Sequence, residues 1–455
     1  MAKFIAVLGG GISGYGSAIL AKKQGFDVLL SDMGKISPLY RSRLEEWGVE
    51  YEEGGHSVER ILTASEVIKS PGIPDTAPMV KALIEKGVPV ISEMEFACRY
   101  MGKGRTICIT GSNGKTTTTS LIYKIMKDSG ANVALGGNIG ESFAYSVATA
   151  EYDWYVLELS SFQLDGMFKF KADVGVLMNI TPDHLDRYDY SFEKYAESKM
   201  RITQNQTSRD YFVYSADDEQ TNVMLTEMDD TLRGRQLPFA INTAIASGDG
   251  DSVLEGHHFT ATVGKKSVTI DTRKMQIEGM HNVYNAMAAA LATLAAGIDP
   301  KQIKRSTYDF SPVEHRLEPS GTKNDIQWVN DSKATNVDSV WYALESMKRP
   351  TVWIAGGTDK GNDYNPLKEF ARRKVKALVC MGVDNAKLVK EFTGIIPEIR
   401  NCNTFEDAMR AAKELASEGD TVLLSPACAS FDLFRNYEER GRMFKEWVKA
   451  NVLND

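Results

Sequence analysis

Short apolar runs alternate with amphipathic stretches along most of the chain, the pattern of parallel strands joined by helices and covered on both faces. In the first part the strand-like runs are 4–8, 26–30, 67–68 and 88–91, with helix-like segments such as 16–24 between them. A second series begins at 106–110 and continues through 154–159 and 173–178 to 211–214. From Ser252 to Ile270 the pattern becomes alternating, around Gly264-Lys265-Lys266, which predicts a small antiparallel insertion. A third series follows Pro312, at 326–329, 352–355, 377–381 and 421–424. Boundaries are expected near Glu93 and Pro312. In open α/β sheets ligands gather at the carboxyl ends of strands, so the polar loops there are the places to look for chemistry.

A length of 455 residues agrees with about three domains. The balance of 53 basic against 61 acidic residues gives a net charge of −8. That excludes a broad phosphate-backbone surface, so no nucleic-acid partner is expected. The longest apolar run, 286–296, falls short of the ~20 residues that span a bilayer. Without that run or a secretory pattern at the N-terminus, no membrane association is expected and the location expected is cytoplasmic. The five cysteines, Cys98, Cys108, Cys380, Cys402 and Cys428, form no CxxC pair and no Cys/His ligand spacing, and read as reduced, mostly buried thiols.

The strongest local signal is Thr110-Gly111-Ser112-Asn113-Gly114-Lys115-Thr116-Thr117, between a strand-like run and a helix-like segment. Glycines let backbone N–H groups wrap a phosphate, the lysine offsets charge on the β/γ oxygens, and the first threonine hydroxyl suits Mg²⁺. Ile109 stands where the full GxxxxGK[ST] spacing has its leading glycine. An ordinary Gly-rich turn would not need strand, Lys-Thr and helix in one run, so a nucleoside triphosphate is expected here. Gly9-Gly10-Gly11-Ile12-Ser13-Gly14 fits GxGxxG, with Asp32 at the end of the next strand. Locally this suits a redox dinucleotide and a nucleotide-tagged substrate equally, because its geometry recognises a pyrophosphate.

Three further residues stand out. Glu158 ends an apolar strand, where a carboxylate is costly to bury without a partner. Asp183-His184-Leu185-Asp186 follows the next strand, on the same rim. Lys199 falls on the apolar stripe of the helix-like stretch 192–203. Singly, each has an ordinary explanation: a paired carboxylate, a satisfied loop histidine, a snorkelling lysine. Together, beside a Lys-Thr phosphate loop, they predict a Mg²⁺-nucleotide site. Thr116 and Glu158 offer hard oxygen ligands there. A buried lysine loses its proton readily, which opens Lys199 to carbamylation. Asn282 and Asn285 share a face of the Ala-rich helix and suit a base or a phosphate, with helix capping as the alternative for Asn282. In the third part, His315-Arg316, Asn330-Asp331-Ser332-Lys333, Gly357-Thr358-Asp359-Lys360 and Ser430-Phe431-Asp432 mostly follow strands and suit an anionic small molecule.

The segments TGSNGKTTT, LELSSFQL, NITPDHLDRY with YAESKMRI, MHNVYNAMAAA, HRLE, WVNDSKATN and SPACASFDLFRNYEERG occur in the order found in the Mur ligases, and the chain resembles that family along its whole length. These are cytosolic ATP-dependent ligases of peptidoglycan precursor synthesis, and LELSSFQ, NDSKATN and SPACAS together resemble the D-glutamate-adding branch. The resemblance implies an α/β fold of three domains. A Rossmann-like domain (1–93) would hold the UDP-substrate, and a central P-loop-type ATPase domain (94–312) would carry a parallel sheet plus the small antiparallel insertion. A C-terminal Rossmann-like domain (313–455) would bind the amino acid.

The implied substrates are UDP-N-acetylmuramoyl-L-alanine, D-glutamate and ATP, with two Mg²⁺ and a monomeric chain. By resemblance, Ile12, Ser13, Asp32, Ser70, Gly72 and Asn138 bind the UDP portion, which decides the first motif against NAD. Gly111, Asn113, Gly114, Lys115, Thr116, Thr117, Asn282, Asn285, Arg316 and Asp331 bind ATP. Thr116 and Glu158 hold one Mg²⁺, with His184 and carbamylated Lys199 at a second. Lys115, Glu158, His184 and Lys199 are the catalytic set, and Lys333, Thr335, Lys360, Ser430, Phe431 and Tyr437 bind D-glutamate. The implied chemistry passes through an acyl phosphate, with a hinge near 311–314 closing the third domain over the site. Rivals are ligases of the same family with another amino acid, folylpolyglutamate synthases, a nicotinamide-dependent oxidoreductase and a nucleotide-binding switch protein.

Overall fold

The computed structural model describes residues 3–228, 231–244, 248–311, 313–359 and 361–454. Pro312 and Lys360 therefore lie outside the described residues. The chain forms three sheets in two compact units. One unit comprises Met1–Met275 with Tyr284–Phe310, the other Gln276–Val283 with Ser311–Asp455.

In the first unit, strands Glu50–Glu53, Asp27–Asp32, Phe4–Leu8, Glu66–Lys69 and Val90–Ile91 lie in that spatial order, all parallel. Glu50–Glu53 reads Glu-Tyr-Glu-Glu and has no buried residue, so no apolar run announces it; it is an edge strand. The central sheet has nine strands, ordered Lys266–Asp271, His258–Val263, Gly250–Glu255, Arg235–Ala240, Tyr211–Ser215, Val174–Leu177, Arg105–Thr110, Trp154–Glu158 and Val133–Gly137. The pairings from Val133–Gly137 through Gly250–Glu255 are parallel. The alternating segment forms the antiparallel remainder and extends this sheet. Arg105–Thr110 sits in the interior of the sheet and is buried beyond its first residue, the burial expected of a parallel strand covered on both faces.

Buried carboxylates join the first two sheets. Glu95 is 1% exposed, and its Oε2 accepts the backbone N–H groups of Phe168, Lys169 and Phe170, each at 2.9 Å. Nearby, Arg43 lies over the rings of Tyr15 and Tyr145, 5.2 and 4.7 Å from their centroids, and pairs with Glu141 at 2.9 Å. The Tyr15 hydroxyl also donates to Glu141.

The second unit has one six-stranded sheet, ordered Glu318–Lys323, Ile326–Asn330, Thr421–Leu424, Thr351–Ala355, Val375–Met381 and Glu398–Cys402. Only the first pair is antiparallel. Two apolar clusters, one around Trp328, Val352 and Phe444 and the other around Trp353, Leu378 and Phe392, cover its faces. Among the described residues no helix is long and apolar enough to cross a membrane.

Candidate active site

In the first unit the rim of the central sheet is built by what stops its strands. Arg105–Thr110 ends in the phosphate loop, and the helix Lys115–Asp128 starts directly after Gly114. Asn113 N–H donates to Asn179 Oδ1 at 2.8 Å, and the Ser112 hydroxyl donates to the Thr181 carbonyl at 2.8 Å, so the loop after Val174–Leu177 supports the phosphate loop. Trp154–Glu158 gives way to a helix whose cap is reciprocal: Ser160 Oγ accepts from Gln163 N–H, and Gln163 Oε1 accepts from Ser160 N–H. This leaves Glu158 at the carboxyl end of its strand, 1% exposed.

Glu158 Oε1 accepts from Asn138 Nδ2 at 3.0 Å, while among the described residues Oε2 is buried with no hydrogen-bond partner. An orphaned buried carboxylate oxygen at the end of the strand that pairs with the one leading into the glycine loop is what a hard divalent cation needs. The donor set therefore fits Mg²⁺. The loop bearing Asn138 approaches closely: a Cβ on Gly137, where φ is +91°, would fall 2.2 Å from the Glu158 carbonyl oxygen.

Lys199 lies on the helix Phe192–Met200, 2% exposed, and its Nζ donates to the Gly111 carbonyl at 2.9 Å. Burial first, and the charge of Lys115 second, hold its amine well below the ordinary lysine range. Lys115 folds back onto its own loop, donating to the carbonyls of Gly111 and Ser112 at 2.6 and 2.9 Å. His184 has a left-handed backbone (φ 52°); its ring meets Phe162 edge-on, and its Nε2 lies 3.6 Å from Asp183. Asn285 lies against the loop from another direction, its Oδ1 accepting the Thr118 hydroxyl at 3.2 Å. The structure thus brings Lys115, Glu158, Lys199 and Asn285 around one loop.

Tyr195 belongs to the same cluster, although no motif chemistry singles it out. Its hydroxyl pairs with Ser112 Oγ at 3.0 Å, and the Lys199 amine sits 4.5 Å from its ring centroid. The signal was available, since Tyr195 and Lys199 are four apart on one helical face.

The glycine loop of the first sheet is gripped by Asp32, whose Oδ2 accepts Gly10 N–H at 2.5 Å and Oδ1 accepts Gly34 N–H at 2.6 Å. Ile12 and Ser13 open the helix Ile12–Lys23, and Ser70 packs beside Gly9 with its Oγ 3.5 Å from the Gly9 carbonyl. Gly72 lies in the turn after Glu66–Lys69, with open space around it.

In the second unit, Asn282 donates from Nδ2 to the Glu278 carbonyl at 2.7 Å. Neighbouring His281 is kept neutral by burial and by the charge of Arg316, its pKa lowered to about 4. Asp331 is buried, accepting from Leu317 N–H at 3.2 Å and the Ser425 hydroxyl at 2.8 Å, and burial raises its pKa to about 6. Lys333 Nζ lies 5.2 Å from the Tyr437 ring centroid, and Thr335 N–H donates to the Lys333 carbonyl at 3.0 Å. Ser430 is buried, whereas Phe431 is 71% exposed. Arg440, fully buried, donates to the Ser332 carbonyl at 2.9 Å and the Cys428 carbonyl at 3.3 Å, so one guanidinium spans the loops carrying Lys333 and Ser430.

Three family models match the chain in succession: the Mur ligase MurD-like N-terminal domain over residues 3–92, the Mur ligase middle domain over 109–293, and the Mur ligase glutamate ligase domain over 315–428. A UDP-N-acetylmuramoylalanine–D-glutamate ligase of Christiangramia forsetii is 49% identical over 449 residues, covering 99% of this chain and 100% of that protein. One of Bacteroides fragilis is 49% identical over 449 residues, covering 98% and 99%. Among solved structures, a pseudomurein peptide ligase type C from Methanothermus fervidus shares the fold at a TM-score of 0.62 and 21% identity, covering 98% of this chain and 100% of that one. The UDP-N-acetylmuramate–alanine ligase of Thermotoga maritima does so at 0.62 and 18%, covering 99% and 100%.

Proposed function

This chain belongs to the Mur ligase family, and from that premise we propose that it joins D-glutamate to UDP-N-acetylmuramoyl-L-alanine in ATP-dependent peptidoglycan precursor synthesis. Near-half identity along the whole length to ligases named for that reaction carries the choice of amino acid. The cluster of Lys115, Glu158 and Lys199 around one phosphate loop supports the ATP chemistry.

The L-alanyl carboxylate attacks the γ-phosphorus of ATP, ADP leaves, and an acyl phosphate forms. The D-glutamate ammonium gives a proton to solvent, the neutral amine attacks the acyl carbon, the nitrogen gives a second proton to solvent, and phosphate leaves with the C–O bonding pair. Lys115 would turn from its own loop carbonyls to the γ-phosphate, where its charge lowers the cost of bringing two anions together. Thr116 and Glu158 would hold one Mg²⁺, and His184 with carbamylated Lys199 a second. When bound, the ions supply charge neutralisation between the phosphate oxygens and the incoming carboxylate. Gly111, Asn113, Gly114 and Thr117 shape the phosphate loop, and Asn282, Asn285, Arg316 and Asp331 contact the nucleotide. Ile12, Ser13, Asp32, Ser70, Gly72 and Asn138 receive the UDP portion. Lys333, Thr335, Ser430, Phe431 and Tyr437 receive D-glutamate, together with Lys360, which lies outside the described residues. The domain roles follow as 1–93 for UDP-substrate, 94–312 for ATP and 313–455 for the amino acid, in a monomer working in the cytoplasm.

The test is phosphate release from ATP with a panel of amino acids, with and without UDP-N-acetylmuramoyl-L-alanine, followed by mass analysis of the product. Release is expected only with D-glutamate and the UDP-substrate together, with one new amide. Absence of that amide overturns the reading.

A further inference from the structure

Two buried carboxylates hold the segment Gly137–Ser142, and only Glu158 belongs to the site described above. At the start of the segment, Asn138 N–H donates to the Glu158 carbonyl at 2.8 Å and its side chain to Oε1. At its end stands Glu93, the first residue of the short helix Glu93–Ala97 that follows the last strand of the first sheet. Glu93 is 2% exposed. Its Oε1 accepts both the Ser142 hydroxyl at 2.5 Å and Ala144 N–H at 3.0 Å. Among the described residues its Oε2 has no hydrogen-bond partner. The Ser13 hydroxyl and Phe143 N–H lie close enough to favour its charged form.

Ser142 caps the helix Phe143–Thr149, accepting from Tyr145 N–H at 3.0 Å. The helix Ile12–Lys23 crosses directly against that cap: a Cβ on Gly16 would fall 1.9 Å from Ser142 Oγ. One carboxylate therefore sits where the end of the Asn138 segment meets the helix start that carries Ile12 and Ser13. Burying a carboxylate here is costly, and the two donors that offset the cost come from the start of the helix Phe143–Thr149.

We infer that Glu93 is a positioning residue for the UDP-bearing substrate, fixing the segment that carries Asn138 against the helix start that carries Ile12 and Ser13. The inference rests on the reading that those residues receive the UDP portion. Glu93 itself need not touch substrate. Asn138 keeps its own two bonds to Glu158 when Glu93 is replaced, so the effect should fall on the UDP-substrate and spare ATP and D-glutamate, a selectivity that a general loss of packing would not produce.

The test is steady-state kinetics of Glu93→Ala and Glu93→Gln, titrating each substrate with the other two saturating, alongside calorimetric binding of uridine diphosphate. Glu93→Ala is expected to raise KM for the UDP-substrate about tenfold and to weaken uridine diphosphate binding about as much, the effect of removing one partner of a buried hydrogen-bonded pair. The KM values for ATP and D-glutamate, and kcat, should stay within about twofold. Glu93→Gln keeps the acceptor oxygen and should stay within about threefold of the parent in every parameter. An unchanged KM for the UDP-substrate in Glu93→Ala, or an equal loss for all three substrates, overturns the inference. If Glu93→Ala does not fold, Ser142→Ala removes the facing donor and must give the same selective rise. A parent enzyme that makes no amide defeats the proposed function; a competent parent whose variants bind the UDP-substrate normally defeats only the role of Glu93.

Discussion

Lys115 and Lys199 meet at one atom: the carbonyl oxygen of Gly111 accepts from both amines, at 2.6 and 2.9 Å. Two ammonium groups converging on one buried oxygen repel each other strongly. Lys115 keeps partial access to solvent, whereas Lys199 is enclosed, so Lys199 is the one whose proton is held less tightly.

A neutral amine has a lone pair to offer carbon dioxide. On the proposed reading, the Lys199 nitrogen attacks the carbon, one N–H proton leaves to water, and an anionic carbamate able to hold a metal ion replaces an amine that cannot do so when protonated. Enzyme equilibrated with ¹³C-bicarbonate is expected to show a carbamate carbon resonance that Lys199→Ala lacks. Lys199→Ala should also lose at least about 100-fold in kcat, in the range for a preorganised electrostatic group. A rate like that of the parent removes the carbamate from the mechanism.

Lys115→Ala is expected to lower kcat by about 10³-fold, since on the proposed function it removes the charge that would face the γ-phosphate. Stability should hardly change, because the amine donates to carbonyls of its own loop and replacing it leaves the strand and helix packing intact. Rapid-quench measurement of acyl phosphate formation, paired with a thermal melt, separates the two effects.

Asn138, proposed to receive the UDP portion, also donates its amide to Glu158 Oε1. Outer partners of metal-holding carboxylates matter because they fix ligand direction. Asn138→Ala is therefore expected to raise the Mg²⁺ concentration for half-maximal activity about tenfold. A Mg²⁺ titration unchanged from the parent limits Asn138 to substrate binding.

Glu93 gives a pH-dependent stability of known sign. Burial raises its pKa from 4.5 to about 7, and the groups acting on it most are Ser13 of one helix and Ser142, Phe143 and Ala144 of another, none of them charged; on its own helix, Glu95 is turned to the 168–170 backbone. Between those pH values the folded protein binds more protons than the unfolded chain, so stability falls as pH rises and levels off above about 7. Gln has no proton to lose. Glu93→Gln should therefore gain on the parent by up to about 3 kcal/mol between pH 5 and pH 8. Urea midpoints at the two pH values check this, and a gap that does not widen with pH contradicts the burial of the charge.

The strand–loop–helix around 110–117 and the odd placement of Glu158 and Lys199 were legible because strand-loop-helix order is a local property of sequence, and a charged residue in an apolar run is conspicuous. The strands Glu50–Glu53 and Glu398–Cys402 were not legible, since edge strands need no apolar run and draw their register from the neighbour they pair with. Glu93 looks in sequence like any acidic residue in a helix first turn, where the helix dipole favours it. Its burial against Ser142 comes from a packing that brings together residues 49 positions apart. Local order thus determined which strands and helices form and where the loops between them fall. Tertiary structure decided which side chains lose water and face one another, because desolvation and long-range contact are properties of the packed chain alone.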